Sequence, residues 1–219
     1  MQTIHSKIIT AFVCLSLVSS LSAADIRVAC VGDSITFGVG AGGRPMQYPA
    51  QLATMLGGGW EVEQFGISGA TLLKKGSLPY WNSEAHRAAL AFNPNVVVIM
   101  LGTNDSAPQN WIHKADYVPD YVALIERFRS LETKPEVWIC YPVPAYNEQV
   151  VSGRVVEHEI IPLIDLVAAK TGAGIIDLHS ALDHQSDLFP DTVHPNAEGH
   201  KRMAQTVAKA LLSKTSDLE

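Results

Sequence analysis

Hydrophobic positions along this chain follow two alternating rhythms. Short apolar runs of strand length are separated by longer stretches in which apolar residues recur every three or four positions. The runs are Ile26–Val31, Val96–Met100, Glu136–Tyr141 and Gly174–Leu178, with a more polar one at Trp60–Phe65. Trp60–Phe65 alternates as Trp-Glu-Val-Glu-Gln-Phe, which suits a half-exposed strand. Val96-Val97-Val98-Ile99-Met100 is apolar throughout, which suits a parallel strand covered on both faces.

Helical spacing covers Gln47–Leu56, closed by Gly57-Gly58-Gly59, and Ser83–Ala91, closed before Pro94. Tyr117, Tyr121, Leu124, Phe128 and Leu131 mark an amphipathic helix. Arg154 to Lys170 reads as a helix with Pro162 inside it, which predicts a kink there and a stop at Gly172. His194-Pro195 predicts the opening of a last helix, with Pro195 in its first turn and Met203, Val207, Ala210 and Leu211 as its buried stripe. Strands and helices alternate five times without a repeat or a linker. That pattern predicts an α/β domain, a three-layer α/β/α sandwich around a five-stranded parallel sheet. The second strand is the most polar and belongs at an edge; the third is the most apolar and belongs near the centre. The flavodoxin-like order 2-1-3-4-5 satisfies both.

Composition narrows the function. The 219 residues, 47% apolar and 17% charged, fit one globular domain. A net charge of −6 without a basic stripe argues against a nucleic-acid partner. Lys7 is followed by the apolar stretch Ile8–Leu21 and by the small residues Ser22-Ala23-Ala24, the pattern of a signal peptide. Residues 1–23 are therefore expected to be removed on export to the periplasm or outside the cell, leaving one domain over 24–219. The stretch is shorter than a membrane span needs, so no stable membrane insertion is expected. Cys30 and Cys140 lie in apolar strand-like runs and are expected to be free thiols. In the order above their strands stand roughly 9.5 Å apart, beyond the roughly 7 Å that a disulfide tolerates.

Cofactor readings find little support. Gly38, Gly40, Gly42 and Gly43 come too late after the first strand for a dinucleotide fingerprint, and Pro45 interrupts them. Asp177, His179, Asp183, His184 and Asp187 match no compact ligand spacing and read as a polar turn, so no metal is expected.

The chemistry centres on Ser34. The run Val28–Val31 stops at Gly32-Asp33, which places a serine where a parallel strand ends, on the side of the sheet where open α/β folds bind ligands. Serine needs a base. His194 is the candidate, because imidazole titrates near neutrality, and Asp191 three residues earlier can reach its Nδ1 and leave Nε2 for Ser34. The Ser34 N–H, the Gly69 N–H and the Asn104 side-chain amide can together stabilise an oxyanion. All five residues follow strand ends on one side of the predicted sheet.

Four ordered blocks carry a resemblance to a known family. Gly32-Asp33-Ser34-Ile35-Thr36, Gly66-Ile67-Ser68-Gly69, Gly102-Thr103-Asn104-Asp105 and Asp191-Thr192-Val193-His194-Pro195 resemble those of the SGNH hydrolases, also called GDSL esterases and lipases. The resemblance implies metal-independent and cofactor-independent ester hydrolysis through an acyl-serine, with Ser34, Asp191 and His194 catalytic and Ser34, Gly69 and Asn104 forming the oxyanion hole. Gln64 stands where many members carry Asn. This departure puts the support of the Gly69 loop in question.

The expected substrate is a small-molecule or glycan ester, with acetyl as the acyl group. Asp33, Trp81, Trp111 and Tyr146 are the candidate substrate contacts, the aromatic ones as faces for sugar rings. The polar loop Asp105–Asn110 suits a wet, open cleft, and no apolar segment offers an acyl tunnel. A lysophospholipase or thioesterase with the same site, and an inactive carbohydrate-binding module, remain the alternatives. Oligomeric state is not legible in the sequence.

Overall fold

The computed structural model describes residues 26–215, so the signal-peptide reading of residues 1–23 lies outside the described residues. The strands are β1 (Ile26–Gly32), β2 (Trp60–Gly66), β3 (Val96–Met100), β4 (Glu136–Tyr141) and β5 (Gly174–Asp177). All pair in parallel, in the spatial order β2-β1-β3-β4-β5. The helices are α1 (Ser34–Phe37), α2 (Tyr48–Leu56), α3 (Glu84–Ala91), α4 (Pro108–Trp111), α5 (Tyr117–Arg129), α6 (Gly153–Val155), α7 (Ile161–Thr171), α8 (Leu178–Leu182) and α9 (Ala197–Thr215).

The period-2 geometry of a strand divides the core in two. Ala29, Val31, Val97 and Ile99 face one layer with Tyr121, Leu124 and Phe128 of α5 and Ile164 and Val167 of α7. Val28, Cys30, Val96 and Val98 face the other, with Leu52 of α2 and Met203, Val207 and Leu211 of α9. Both faces of β1 and β3 are thus covered, which is why these strands read as unbroken apolar runs. Strand β2 alternates between half-buried and exposed positions, as its edge place requires. Tyr117 and Tyr121 bury their rings in the core, and each hydroxyl donates to a backbone carbonyl, of Leu101 and Ile99, both at 3.3 Å.

Cys30 and Cys140 are buried, free thiols with β3 between their strands. Burial pushes the Cys30 thiol up to about 12 and raises that of Cys140 as well. Among the described residues, no helix is long and apolar enough to cross a membrane.

Two local expectations need correction. The helix expected from Arg154 to Lys170 is divided: α6 leads into a π turn at Val156–Ile160, and α7 begins at Ile161 with Pro162 in its first turn. Proline has no N–H to donate, and its ring crowds the carbonyl four residues back. The wider turn takes up that misfit. The last helix begins at Ala197, not at His194-Pro195. Asn196 caps it, its Oδ1 accepting from the N–H groups of Glu198 and Gly199, both at 3.1 Å. His194 is therefore left outside the helix, on a loop that can reach across the sheet.

Candidate active site

Ser34 sits at the first turn of α1, directly after β1. The Asp33 carboxylate caps that turn, Oδ1 accepting from Ile35 N at 3.0 Å. Two glycines let α1 wedge between the ends of neighbouring strands. A Cβ on Gly32 would stand 2.7 Å from the Met100 carbonyl oxygen, and one on Gly66 2.6 Å from that of Asp33. As the first residue of its helix, Ser34 has a backbone N–H without an intrahelical acceptor.

The Ser34 hydroxyl lies 2.8 Å from His194 Nε2, and His194 Nδ1 lies 2.6 Å from Asp191 Oδ2. An ionised carboxylate only accepts hydrogen bonds, so the proton belongs on Nδ1 and Nε2 is left to accept from Ser34. Asp191 Oδ1 accepts from the N–H groups of His194, at 2.7 Å, and Val193, at 3.0 Å. Partial burial alone would raise the Asp191 carboxyl, but these hydrogen bonds outweigh it and hold the group below the usual carboxylate range. Thr192, between them, has φ +69°, a left-handed conformation that costs a β-branched residue energy. The segment after β4 holds it there: Thr192 O accepts from Tyr146 N at 2.7 Å, and its hydroxyl from Asn147 Nδ2 at 3.0 Å.

Asn104 follows β3 in a short 3-10 turn, and its Nδ2 donates to Ala70 O at 3.0 Å and to Asp33 Oδ2 at 3.3 Å. Gly69 lies in the adjoining loop with φ +81°. That loop's own backbone bonds run from Ile67 N to Gly32 O and from Ala70 N to Ile67 O, leaving the Gly69 N–H unused by the turn. Gln64, the departure in the second block, curls its Oε1 back onto Gly66 N and supports the loop from below.

The proposed substrate contacts are reorganised. Asp33 is 1% exposed and commits both carboxylate oxygens to Ile35 and Asn104; it positions the turn and does not face a substrate. Burial pushes its carboxyl up to about 7. Trp111 is buried against Tyr117, with its indole N–H on Glu159 Oε2 at 2.8 Å. Trp81 packs on the core, and Lys74 Nζ covers its ring at 4.1 Å from the centroid. Neither tryptophan presents the open face expected of it. Tyr146 stays beside the Asp191–His194 loop, partly exposed, its hydroxyl accepting from Gln185 N at 3.0 Å. The loop Asp105–Asn110 is not an open rim either: Asp105, Ser106, Ala107 and Asn110 are buried.

Asp105 and His200 also support the site, through contacts that sequence position alone does not reveal. Asp105 accepts from Leu72 N at 2.9 Å and Leu73 N at 2.8 Å, tying the Gly69 loop to Asn104. Burial pushes its carboxyl up to about 6. The available signal was an acid directly beside the candidate amide. His200 is buried; its Nδ1 accepts from Tyr48 N and its Nε2 donates to Val39 O, both at 3.2 Å. It falls on the stripe that continues through Met203, Ala204 and Val207.

Burial lowers the His200 imidazole from 6.5 to about 4. The folded chain keeps it neutral, whereas the unfolded chain protonates it below about pH 6.5. Its contribution to stability is therefore complete above pH 6.5 and lost as the pH falls towards 4, by about 3 kcal/mol. Asp33 and Asp105, whose folded values are raised, slope the other way, favouring the fold most at low pH. Comparison with His200→Gln cancels them: in denaturant unfolding, the variant should gain about 3 kcal/mol relative to wild type on going from pH 7 to pH 4. An unchanged difference would mean that His200 is charged in the fold.

Gly40 also governs the site. It has φ +84°, and a Cβ there would overlap the Pro195 carbonyl oxygen and stand 3.2 Å from His194 Cβ. Gly40→Ala should displace His194 and lower kcat on an activated acetate ester roughly 10²-fold, the usual effect of a misplacement near 1 Å. A folded variant with unchanged kcat would show that the loop yields without moving the ring.

A serine, a histidine and an aspartate linked in series at the carboxyl edge of a 2-1-3-4-5 parallel sheet define the class of the SGNH serine ester hydrolases. Residues 30–202 match the GDSL-like Lipase/Acylhydrolase family, and the chain belongs to that family. An acetylxylan esterase from Xylanibacter ruminicola is 40% identical over 206 residues, a match that covers 85% of this chain and 43% of that protein. The chain thus spans less than half the length of that relative. Two solved structures share the fold. A carbohydrate acetylesterase from Sinorhizobium meliloti matches with TM-score 0.70 at 18% identity, over 86% of this chain and 99% of that one. An acetylxylan esterase from Geobacillus stearothermophilus matches with TM-score 0.64 at 21% identity, over 85% and 94%.

Proposed function

We propose that the domain, residues 24–219 after loss of an export signal at residues 1–23, hydrolyses acetyl esters carried on carbohydrate through an acyl-Ser34 intermediate. The observation that carries this reading is the continuous line from Ser34 Oγ through the His194 ring to the Asp191 carboxylate. His194 Nε2 takes the hydroxyl proton as Ser34 Oγ bonds to the ester carbonyl carbon. The carbonyl oxygen becomes an oxyanion, facing the N–H groups of Ser34 and Gly69 and the Asn104 amide, which turns one N–H away from its longer bond to Asp33 Oδ2 to reach it. His194 then returns the proton to the departing alcohol oxygen as the ester bond breaks. Water repeats the two steps on the acyl-serine and releases the acid. Asp191 keeps Nδ1 protonated and stabilises the imidazolium.

The acetylxylan esterase relative supports a carbohydrate acetyl ester as substrate. The test is a series of acetate, butyrate and octanoate esters together with an acetylated xylo-oligosaccharide. In a matching apolar slot each buried methylene contributes up to about 0.8 kcal/mol, so a lipid esterase gains kcat/KM with chain length. Here kcat/KM should fall from acetate to octanoate, and the oligosaccharide should release acetate. A rise through octanoate without acetate release would replace this reading with an acyl-lipid one.

A further inference from the structure

A groove runs between the first half of α2 and the edge strand β2. Its two adjoining cavities, of about 330 and 240 Å³, share Arg44, Gln47, Glu63 and Gln64. The larger one alone reaches the lower end of the range for small-ligand clefts, roughly 300–1,000 Å³. Phe37 lines it and is 48% exposed, an uncommon state for a large aromatic residue.

Phe37 ties the groove to the helix that carries the nucleophile. Ser34 and Phe37 are three residues apart on α1, which places their β-carbons about 5–6 Å apart. On the other side, Gln64 holds Gly66 N at the root of the Gly69 loop. The Ser34–Phe37 spacing puts the Phe37 ring within reach of a sugar unit next to one whose ester carbonyl meets Ser34.

The lining selects the chemistry of that extension. The Arg44 guanidinium and the Glu63 carboxylate have no hydrogen bond or ion pair among the described residues. Gln47 lies across Gly38, whose φ of +100° and missing Cβ make room for it. One cation, one anion and two amides around an exposed ring offer donors and acceptors in balance. An acyl chain would strip water from these groups and give them no partner. An anion would meet Glu63, and a cation Arg44. An uncharged polyhydroxyl ring satisfies donors and acceptors alike and lays an apolar face on the phenyl ring.

We infer that this groove is a subsite for the sugar unit next to the acetylated one, so that the domain acts on oligomeric glycans in preference to single sugars. The inference rests on the carbohydrate reading above. The substrates that test it are acetylated xylohexaose, acetylated xylose and 4-nitrophenyl acetate. The wild type should show a higher kcat/KM on the hexamer than on the single sugar. Phe37→Ala combined with Arg44→Ala should raise KM for the hexamer roughly 30-fold or more, the effect of losing one aromatic contact and one charged hydrogen bond, and so remove that preference. A hexamer-to-monomer ratio unchanged in the double variant would overturn the subsite. If Phe37→Ala weakens all three substrates alike, Arg44→Ala alone decides, because its side chain is exposed and unpaired, and an unchanged ratio there is equally fatal. Turnover of 4-nitrophenyl acetate with acetate released from neither glycan is a different pattern: it would overturn the carbohydrate reading itself.

Discussion

Replacing Ser34 by Ala should abolish turnover of an activated acetate ester, lowering kcat/KM by roughly 10⁴-fold or more. The serine oxygen is the atom to which the acyl group would bond, and no neighbouring hydroxyl stands in its place on His194 Nε2. The fold should survive. Ser34 is buried, but the His194 side chain it bonds is partly exposed, so the freed imidazole nitrogen can turn to solvent. Thermal unfolding within about 1 kcal/mol of wild type, alongside lost activity, is the expected pair of results. Labelling adds a check: an organophosphate should add one adduct to the wild type and none to Ser34→Ala. Activity retained in the purified variant would end the serine mechanism.

Asn104→Ala should lower kcat roughly 10²–10³-fold while KM stays near its wild-type value, the pattern of a donor that acts on charge formed in the transition state. This variant should also be less stable. Asn104 Nδ2 donates to the buried Asp33 carboxylate and to Ala70 O, and removing it leaves both acceptors short of a donor, at a cost of about 1–3 kcal/mol. Activity should therefore be measured well below the variant's melting temperature. A change confined to KM would make Asn104 a substrate-binding group, with the oxyanion left to the two backbone N–H groups.

The sheet was legible because β1 and β3 are covered on both faces and β2 on one, so burial left a direct imprint on residue type. The meeting of Ser34, Asp191 and His194 was legible because the roles proposed for them demand particular functional groups at strand ends. Groups whose meaning depends on orientation were not. Asp33 reads as a polar residue beside the serine, and only the fold shows its carboxylate turned inward to Asn104. Trp111 and Trp81 read as sugar platforms; the Glu159 carboxylate and the Lys74 ammonium take them instead. The opening of α9 was placed too early, because Pro195 suggested a first turn while the Asn196 side chain supplied the actual cap. The α9 stripe marks His200 as buried, but nothing local shows what it or Gly40 touches, since their partners lie more than 150 residues away.

That long separation has a consequence for how the protein comes into being. Ser34 and His194 meet across 160 residues, and a chain is synthesised from its N-terminus. By the time β4 has left the ribosome, the serine, the Gly69 loop and Asn104 have all been made, yet the base and its aspartate are still unread message. On the assignment proposed here, a nascent or prematurely terminated polypeptide is chemically silent, whatever part of its sheet has formed. Hydrolytic power arrives in one step, when the loop before α9 closes over a nucleophile that was made first. The cell that produces this protein therefore handles a harmless polymer until the segment that carries Asp191 and His194 has been made.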